Sequence, residues 1–250
     1  MADALIHVSG LNKTYKGSNV AAIDHLSLQI KKRCLYGLLG PNGAGKTTTL
    51  NILCGLLKPD SGDIEIAGYR FPEQLSDIKR IMGIVPQEIA LYQELTALEN
   101  LRFFGNMYQI PPKLLHQQIE MYLKKLGLFH RKNDRIKHYS GGMKRRVNLI
   151  AGLLHDPIVL FLDEPTVGVD VQSKKVIIDF LKELNESGTT IIYTSHLMEE
   201  AQELCSHITI MDRGRNIADG KPHELISKHK GCDNLEDVFI KLTGKALRDQ

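Results

Sequence analysis

The stretch Gly40-Pro41-Asn42-Gly43-Ala44-Gly45-Lys46-Thr47-Thr48 constrains this chain more than any other. An apolar run, Leu35-Tyr36-Gly37-Leu38-Leu39, precedes it, and Leu50, Leu53, Cys54 and Leu57 follow at helical spacing. Strand, glycine-rich loop and helix with G-x-x-x-x-G-K-T in the loop is the context a phosphate-binding loop requires. Glycines let successive backbone N–H groups turn inward around an anion, and the helix N-terminus adds its dipole. Lys46 is expected to reach the β- and γ-phosphates, and the Thr47 hydroxyl to hold Mg²⁺. The stretch predicts a nucleoside triphosphate site.

Around it the pattern is α/β. Three short strands are expected early, at Leu5–Val8, Val20–Ile23 and Leu26–Ile30, with a turn at Asp24-His25, and they predict an antiparallel sheet before the loop. Tyr15 lies between the first two, where its ring could serve as a platform for a purine base. Further strands are expected at Asp63–Ala67 and Ile81–Val85. Thr96 with Glu99 is a capping-box pattern opening a helix to about Tyr108, which Pro111-Pro112 breaks. Leu115, Ile119, Tyr122, Leu123 and Leu126 then mark a second helix stopped by Gly127. Residues 90–140 thus read as a helical insertion in a single domain of 1–250, with a short helical tail over 222–250.

Ser140-Gly141-Gly142 opens another helix, with Val147, Ile150, Ala151 and Leu154 on its buried face and Lys144-Arg145-Arg146 on its solvated one. A hydroxyl and leading N–H groups make this start a second anion-binding end. One chain already has its phosphate loop, so a second grip suggests a site completed by another subunit. Ile158–Leu162 predicts a fully buried strand, ended by Asp163 and Glu164. Ligands collect at the carboxyl ends of such strands. Asp163 suits a Mg²⁺-supporting carboxylate, and Glu164 a base for the attacking water. His196 ends the next strand, Thr190–Thr194, where it could touch the γ-phosphate or the water. Gln87 ends an earlier one, where its amide oxygen could bind Mg²⁺ or water.

Composition sets the outer bounds. The net charge of +3, from 32 basic and 29 acidic residues, is too balanced to argue for nucleic acid. No apolar run is long enough to span a bilayer, and Met1-Ala2-Asp3-Ala4 lacks the marks of a signal segment. Cys34, Cys54, Cys205 and Cys232 form no C-x-x-C and read as reduced, mostly buried thiols. The expectation is a cytoplasmic chain whose membrane connection runs through a partner.

From about Leu5 to Gly220 the chain resembles the ATP-binding-cassette family, the nucleotide-binding subunits of ABC transporters, with their motifs in order. Tyr15 matches the adenine-stacking position, Gly40–Thr47 the phosphate loop, and Gln87 the glutamine loop. Tyr139-Ser140-Gly141-Gly142-Met143 matches the signature usually written Leu-Ser-Gly-Gly-Gln. Ile158–Glu164 matches the strand with the magnesium aspartate and catalytic glutamate, Val167-Gly168-Val169-Asp170 the aspartate loop, and His196 the switch histidine. Tyr139, Met143, Val167 and Val169 depart from the common pattern, and none of them removes a catalytic group. The resemblance implies a P-loop NTPase fold with an N-terminal antiparallel subdomain and ATP hydrolysis with Mg²⁺. It also implies two subunits, identical or paired, sandwiching ATP and docked on integral membrane permeases through Gln87–Leu95. Leu91, Tyr92 and Leu95 are candidate exposed anchors there, with core packing the other reading of each. The form Ser-Gly-Gly-Met-Lys-Arg-Arg, with Asn234–Phe239 and Leu242-Thr243-Gly244, resembles an exporter subgroup of multidrug, sodium and polysaccharide-type systems. The alternatives are a regulatory cassette that switches a membrane partner without transport, and a cassette acting on DNA or ribosomes. Relatives of that last kind typically carry coiled-coil insertions or two cassettes, and this chain has neither.

Overall fold

Two long strands open the chain where the sequence suggested three short ones. β1 (Ala4–Thr14) and β2 (Ala21–Lys31) pair antiparallel. The expected turn at Asp24-His25 is instead a bulge inside β2. Lys13 faces Ile23 and Leu11 faces Leu26, so β2 carries one extra residue, with His25 at φ 51°. That extra residue lets Ile23 and Leu26, three apart, both face the core, whereas strict alternation would send one outward. The computed structural model describes residues 4–244; residues 1–3 and 245–250, which include the expected signal-free start and the end of the tail, lie outside the described residues.

β3 (Leu35–Leu39) is five buried residues and leads through the glycine loop into α1 (Lys46–Leu53). β4 (Ser61–Ile66) pairs with the far side of β1, and β5 (Tyr69–Phe71) closes a four-stranded sheet in the order β2-β1-β4-β5. A short helix that the sequence did not suggest, α2 (Leu75–Ile81), follows with only Ile78 buried. One buried position leaves no apolar stripe to detect.

The chain divides into two compact units, one running to Lys79 and resuming at Thr190, the other Arg80–Thr189. The first strand of the second is β6 (Met82–Val85); Ile81, expected in that strand, is the last residue of α2. In α3 (Ala97–Met107) the capping box is complete: Glu99 N–H donates to Thr96 Oγ1 at 3.1 Å, and Thr96 N–H to the Glu99 carboxylate at 2.8 Å. α4 (Pro112–Lys125) starts on the proline that the sequence uses as a breaker, since a first-turn residue has no use for its N–H. Gly127, at φ 67°, ends it. α5 (Gly141–Ala151) follows, then β7 (Val159–Asp163), parallel to β6, and α6 (Val171–Glu186). Ile158, expected in the buried strand, lies before it and is 45 % exposed.

Back in the first unit, β8 (Thr190–Ser195) lies parallel beside β3 and leads to α7 (Met198–Leu204). β9 (His207–Asp212) flanks the other side of β3, and β10 (Arg215–Gly220) returns antiparallel to it. α8 (Pro222–Lys228) and α9 (Leu235–Thr243) end the described chain. Cys54 and Cys205 are buried, Cys34 and Cys232 half-buried, and none of the four is in a disulfide. Among the described residues no helix is long and apolar enough to cross a membrane.

The Thr96 cap satisfies helix-end donors that would otherwise lack partners. Thr96→Ala is expected to cost about 1 kcal/mol, read as a lowered midpoint in urea unfolding followed by circular dichroism.

Candidate functional site

In the first unit, the loop after β3 is shaped from behind. Gly40 has φ 151° and Gly45 φ 104°. A Cβ on Gly40 would lie 2.3 Å from the Met211 carbonyl oxygen, and one on Gly45 2.5 Å from that of Ala22. Side chains are excluded there by backbone, whereas a Cβ at Gly43 would meet nothing within 4 Å. Ala44 N–H donates to Pro41 O at 3.1 Å, and Gly214 N–H, from the turn between β9 and β10, donates to Ala44 O at 2.9 Å. Lys46, 5 % exposed, donates from Nζ to Gly40 O at 2.8 Å and Pro41 O at 3.2 Å. A buried ammonium thus lies over the loop at the positive end of α1, whose first intrahelical bond runs from Thr49 N–H to Gly45 O. Cation, dipole and a loop open at Gly43 fit a polyphosphate.

Tyr15 is 46 % exposed and its hydroxyl lies 3.1 Å from Thr48 Oγ1, so its ring stands beside the start of α1. In the β3–β8 pairing Leu39 is level with Ser195, and His196 is the residue that follows Ser195 at the carboxyl end of β8. The first unit therefore places Tyr15 beside the loop from Gly40 to Thr48, with β3 and β8 ending side by side before the loop and before His196.

In the second unit, Asp163 closes β7 at 4 % exposure and Glu164 follows at 6 %. An Asp-Glu pair after a strand can be a solvated turn; this pair is buried. Glu164 holds φ 46°, a left-handed backbone that a residue with a Cβ adopts only where its surroundings impose it. Gln87 donates from Nε2 to Glu164 Oε2 at 3.4 Å. Its amide oxygen remains the group able to face a metal or water.

Ser140 caps α5, its Oγ accepting from Met143 N–H at 3.3 Å. A Cβ on Gly142 would lie 2.3 Å from Ser173 Oγ and 2.9 Å from Asp170 Oδ2, so glycine there lets α5 approach the start of α6. Asp170 caps α6, and the hydrogen bonds it receives from Ser173 hold its carboxyl below the usual carboxylate range. Ser140, Gly141, Gly142 and Asp170 thus belong to two neighbouring helix starts. Tyr139, which departs from the common signature, is buried and donates its hydroxyl to Arg131 O at 2.6 Å. Burial pushes its phenol up to about 12.

One expectation is corrected here. Lys144-Arg145-Arg146 is not a solvated face. Arg145 is 7 % exposed and donates to Pro86 O, while Arg146 donates to Gly142 O and, at 2.8 Å, to Leu126 O. Carbonyls at the ends of neighbouring segments take up both guanidinium groups, which a charge count along the chain does not reveal. Of the two readings of the candidate anchors, core packing holds for Leu91, which is 8 % exposed; Leu95 is half-buried, and Tyr92 is 52 % exposed and meets the ring of Phe103 edge-on at 5.1 Å.

Asn100 and Asn148 escaped the sequence reading. Asn100, fully buried, accepts from Tyr92 N–H at 2.8 Å and donates to the carbonyls of Tyr92 and Thr96. Asn148 accepts from Ala90 N–H at 3.2 Å. The available signal was an asparagine on the apolar stripe of each helix, beside Ala97 and Leu101 in α3 and beside Val147 and Ala151 in α5.

The comparisons with known proteins decide the family. The profile described as ABC transporter matches residues 23–167. The chain belongs to the ABC transporter family. A linearmycin resistance ATP-binding protein of Bacillus subtilis is 43 % identical over 98 % of this ABC chain and 76 % of its own length. A Nod factor export ATP-binding protein of Cupriavidus metallidurans is 40 % identical over 98 % and 80 %. Among solved structures, an ATP-binding subunit of an ABC transporter matches with a TM-score of 0.86 and 26 % identity over 96 % of this chain and 99 % of that one. A dimeric ATP-binding cassette in a post-hydrolysis state with ADP and Pi matches at 0.78 and 28 %, over 86 % and 98 %. The α/β architecture is the P-loop ABC ATPase fold, and this ABC chain is an ATPase subunit.

Tyr139→Phe removes one buried hydroxyl and strands the Arg131 carbonyl. A loss of about 1 kcal/mol is expected, measured as the shift in urea midpoint against the unaltered ABC subunit.

Proposed function

We propose that this chain is the ATP-hydrolysing subunit of an ABC exporter, working as a pair of subunits and docked on separate membrane permeases at the inner face of the cell membrane. The observation that carries hydrolysis is the buried Asp163-Glu164 pair, with Glu164 in a left-handed backbone and Gln87 at its carboxylate. Glu164 accepts the proton of the attacking water, a task for which a carboxylate within hydrogen-bond reach is suited. Gln87 and His196 orient that water and the γ-phosphate. Gly40 to Gly45 offer backbone amides to the phosphates, Lys46 turns from its loop carbonyls to the β- and γ-oxygens, Thr48 continues the helix start, and Tyr15 stacks on the base. Thr47, Asp163 and Gln87 are the oxygen donors suited to Mg²⁺, which when bound neutralises charge on the β- and γ-oxygens.

Ser140, Gly141 and Gly142 face the phosphates of the other subunit's ATP, and Asp170 belongs to that same interface. The dimeric cassette with ADP and Pi supports a paired state for this chain. Relatives named for linearmycin resistance and Nod factor export support the exporter reading. Residues 90–140 form the helical insertion of a single cassette, and Tyr92 with Phe103, both exposed, are the docking anchors for a permease.

Glu164→Gln keeps the shape of the side chain and removes the base, and kcat is expected to fall by about 10²-fold or more. Undiminished phosphate release would remove the assigned role. Adding ATP with magnesium to that variant is expected to double its mass in sedimentation velocity, and a persistent monomer would count against the shared site.

A further inference from the structure

Three hydrogen bonds tie the segment that carries Gln87 to the helix that begins at Ser140. Arg145 donates from Nη1 to Pro86 O at 3.0 Å, and Asn148 donates from Nδ2 to the same carbonyl at 3.4 Å. Ala90 N–H donates to Asn148 Oδ1 at 3.2 Å. Pro86 and Ala90 bracket Gln87, whose amide reaches Glu164. One face of α5, at positions three apart, therefore grips both ends of the glutamine segment.

The grip comes at a cost that helix packing alone does not explain. Arg145 is 7 % exposed and Asn148 3 %. Burial strips solvent from the Arg145 guanidinium and lowers its proton affinity, which the Asp163 charge partly restores. Its Nε is buried without a hydrogen-bond partner. A leucine would fill such a place without desolvating a cation. What the arginine adds is a directed donor to the carbonyl just before Gln87.

We propose that Arg145 and Asn148 are positioning residues for hydrolysis: they hold Pro86 and Ala90 so that the Gln87 amide stays at the Glu164 carboxylate, making the register of α5 a determinant of kcat. This rests on the role given to Gln87 above. Because α5 starts at Ser140, a shift of that cap is passed along a rigid helix to the glutamine segment.

A double-mutant cycle on the full chain tests it, with MgATP turnover measured for the unaltered protein, Asn148→Ala, Gln87→Ala and both together. Asn148→Ala is expected to lower kcat about tenfold with KM changed less than twofold, and to add less than twofold once Gln87 is alanine. An equal loss in both backgrounds overturns the proposal, because Asn148 would then act independently of Gln87. Full turnover by Gln87→Ala alone overturns the role of Gln87 itself, and the proposal with it. Arg145→Leu separates position from stability: the melting temperature should hold or rise while kcat falls, whereas Arg145→Lys, which keeps a donor, should recover part of the rate. Equal kcat in the leucine and lysine variants overturns the role of Arg145.

Discussion

Two backbone carbonyls, of Ala22 and Met211, stand where side chains on Gly45 and Gly40 would be. The shape of the glycine loop depends on that close approach, with a turn bond from Ala44 N–H to Pro41 O and a strut from Gly214 N–H to Ala44 O beside it. β2 and the β9–β10 hairpin, distant in sequence, supply the wall. A braced loop can hold a buried ammonium on its own carbonyls and release it to a phosphate with little rearrangement. Preorganisation of this kind is what lets fixed dipoles stabilise charge without reorganising at each turnover.

The second unit solves a different problem by similar means. The chain between β6 and α3 has no regular structure, so its polar groups need partners from elsewhere. Asn100, Asn148 and Arg145 provide them from inside two helices. Each such bond adds about 1 kcal/mol when satisfied, and leaving its partner buried and unmet costs more. The segment is thereby held at Pro86, Ala90 and Tyr92, and the Tyr92 and Phe103 rings are presented to solvent from a fixed frame.

Local chemistry was legible in the sequence, and long-range partnership was not. The capping box at Thr96 and Glu99, the start of α4 at Pro112 and the stop at Gly127 each follow from residues within one turn of the feature they make. The glycine loop before α1 and the helix start at Ser140 were legible because glycines and a cap residue at that spacing shape the local backbone. Arg145 and Arg146 looked like a solvated charge run because the carbonyls they serve lie about 60 and 20 residues away. The bulge at His25 looked like a turn because a polar pair between apolar runs has the same signature in both cases. Helix α2 was missed because it buries one side chain and so has no period.

Glu164 sits in a backbone region that glycine and asparagine occupy with far less strain. The same residue is only 6 % exposed. A selection for thermal tolerance alone would therefore drift toward replacing it, since glycine or asparagine relieves the backbone and removes a buried carboxylate in one step. On the role proposed for Glu164, stability and turnover pull this position in opposite directions.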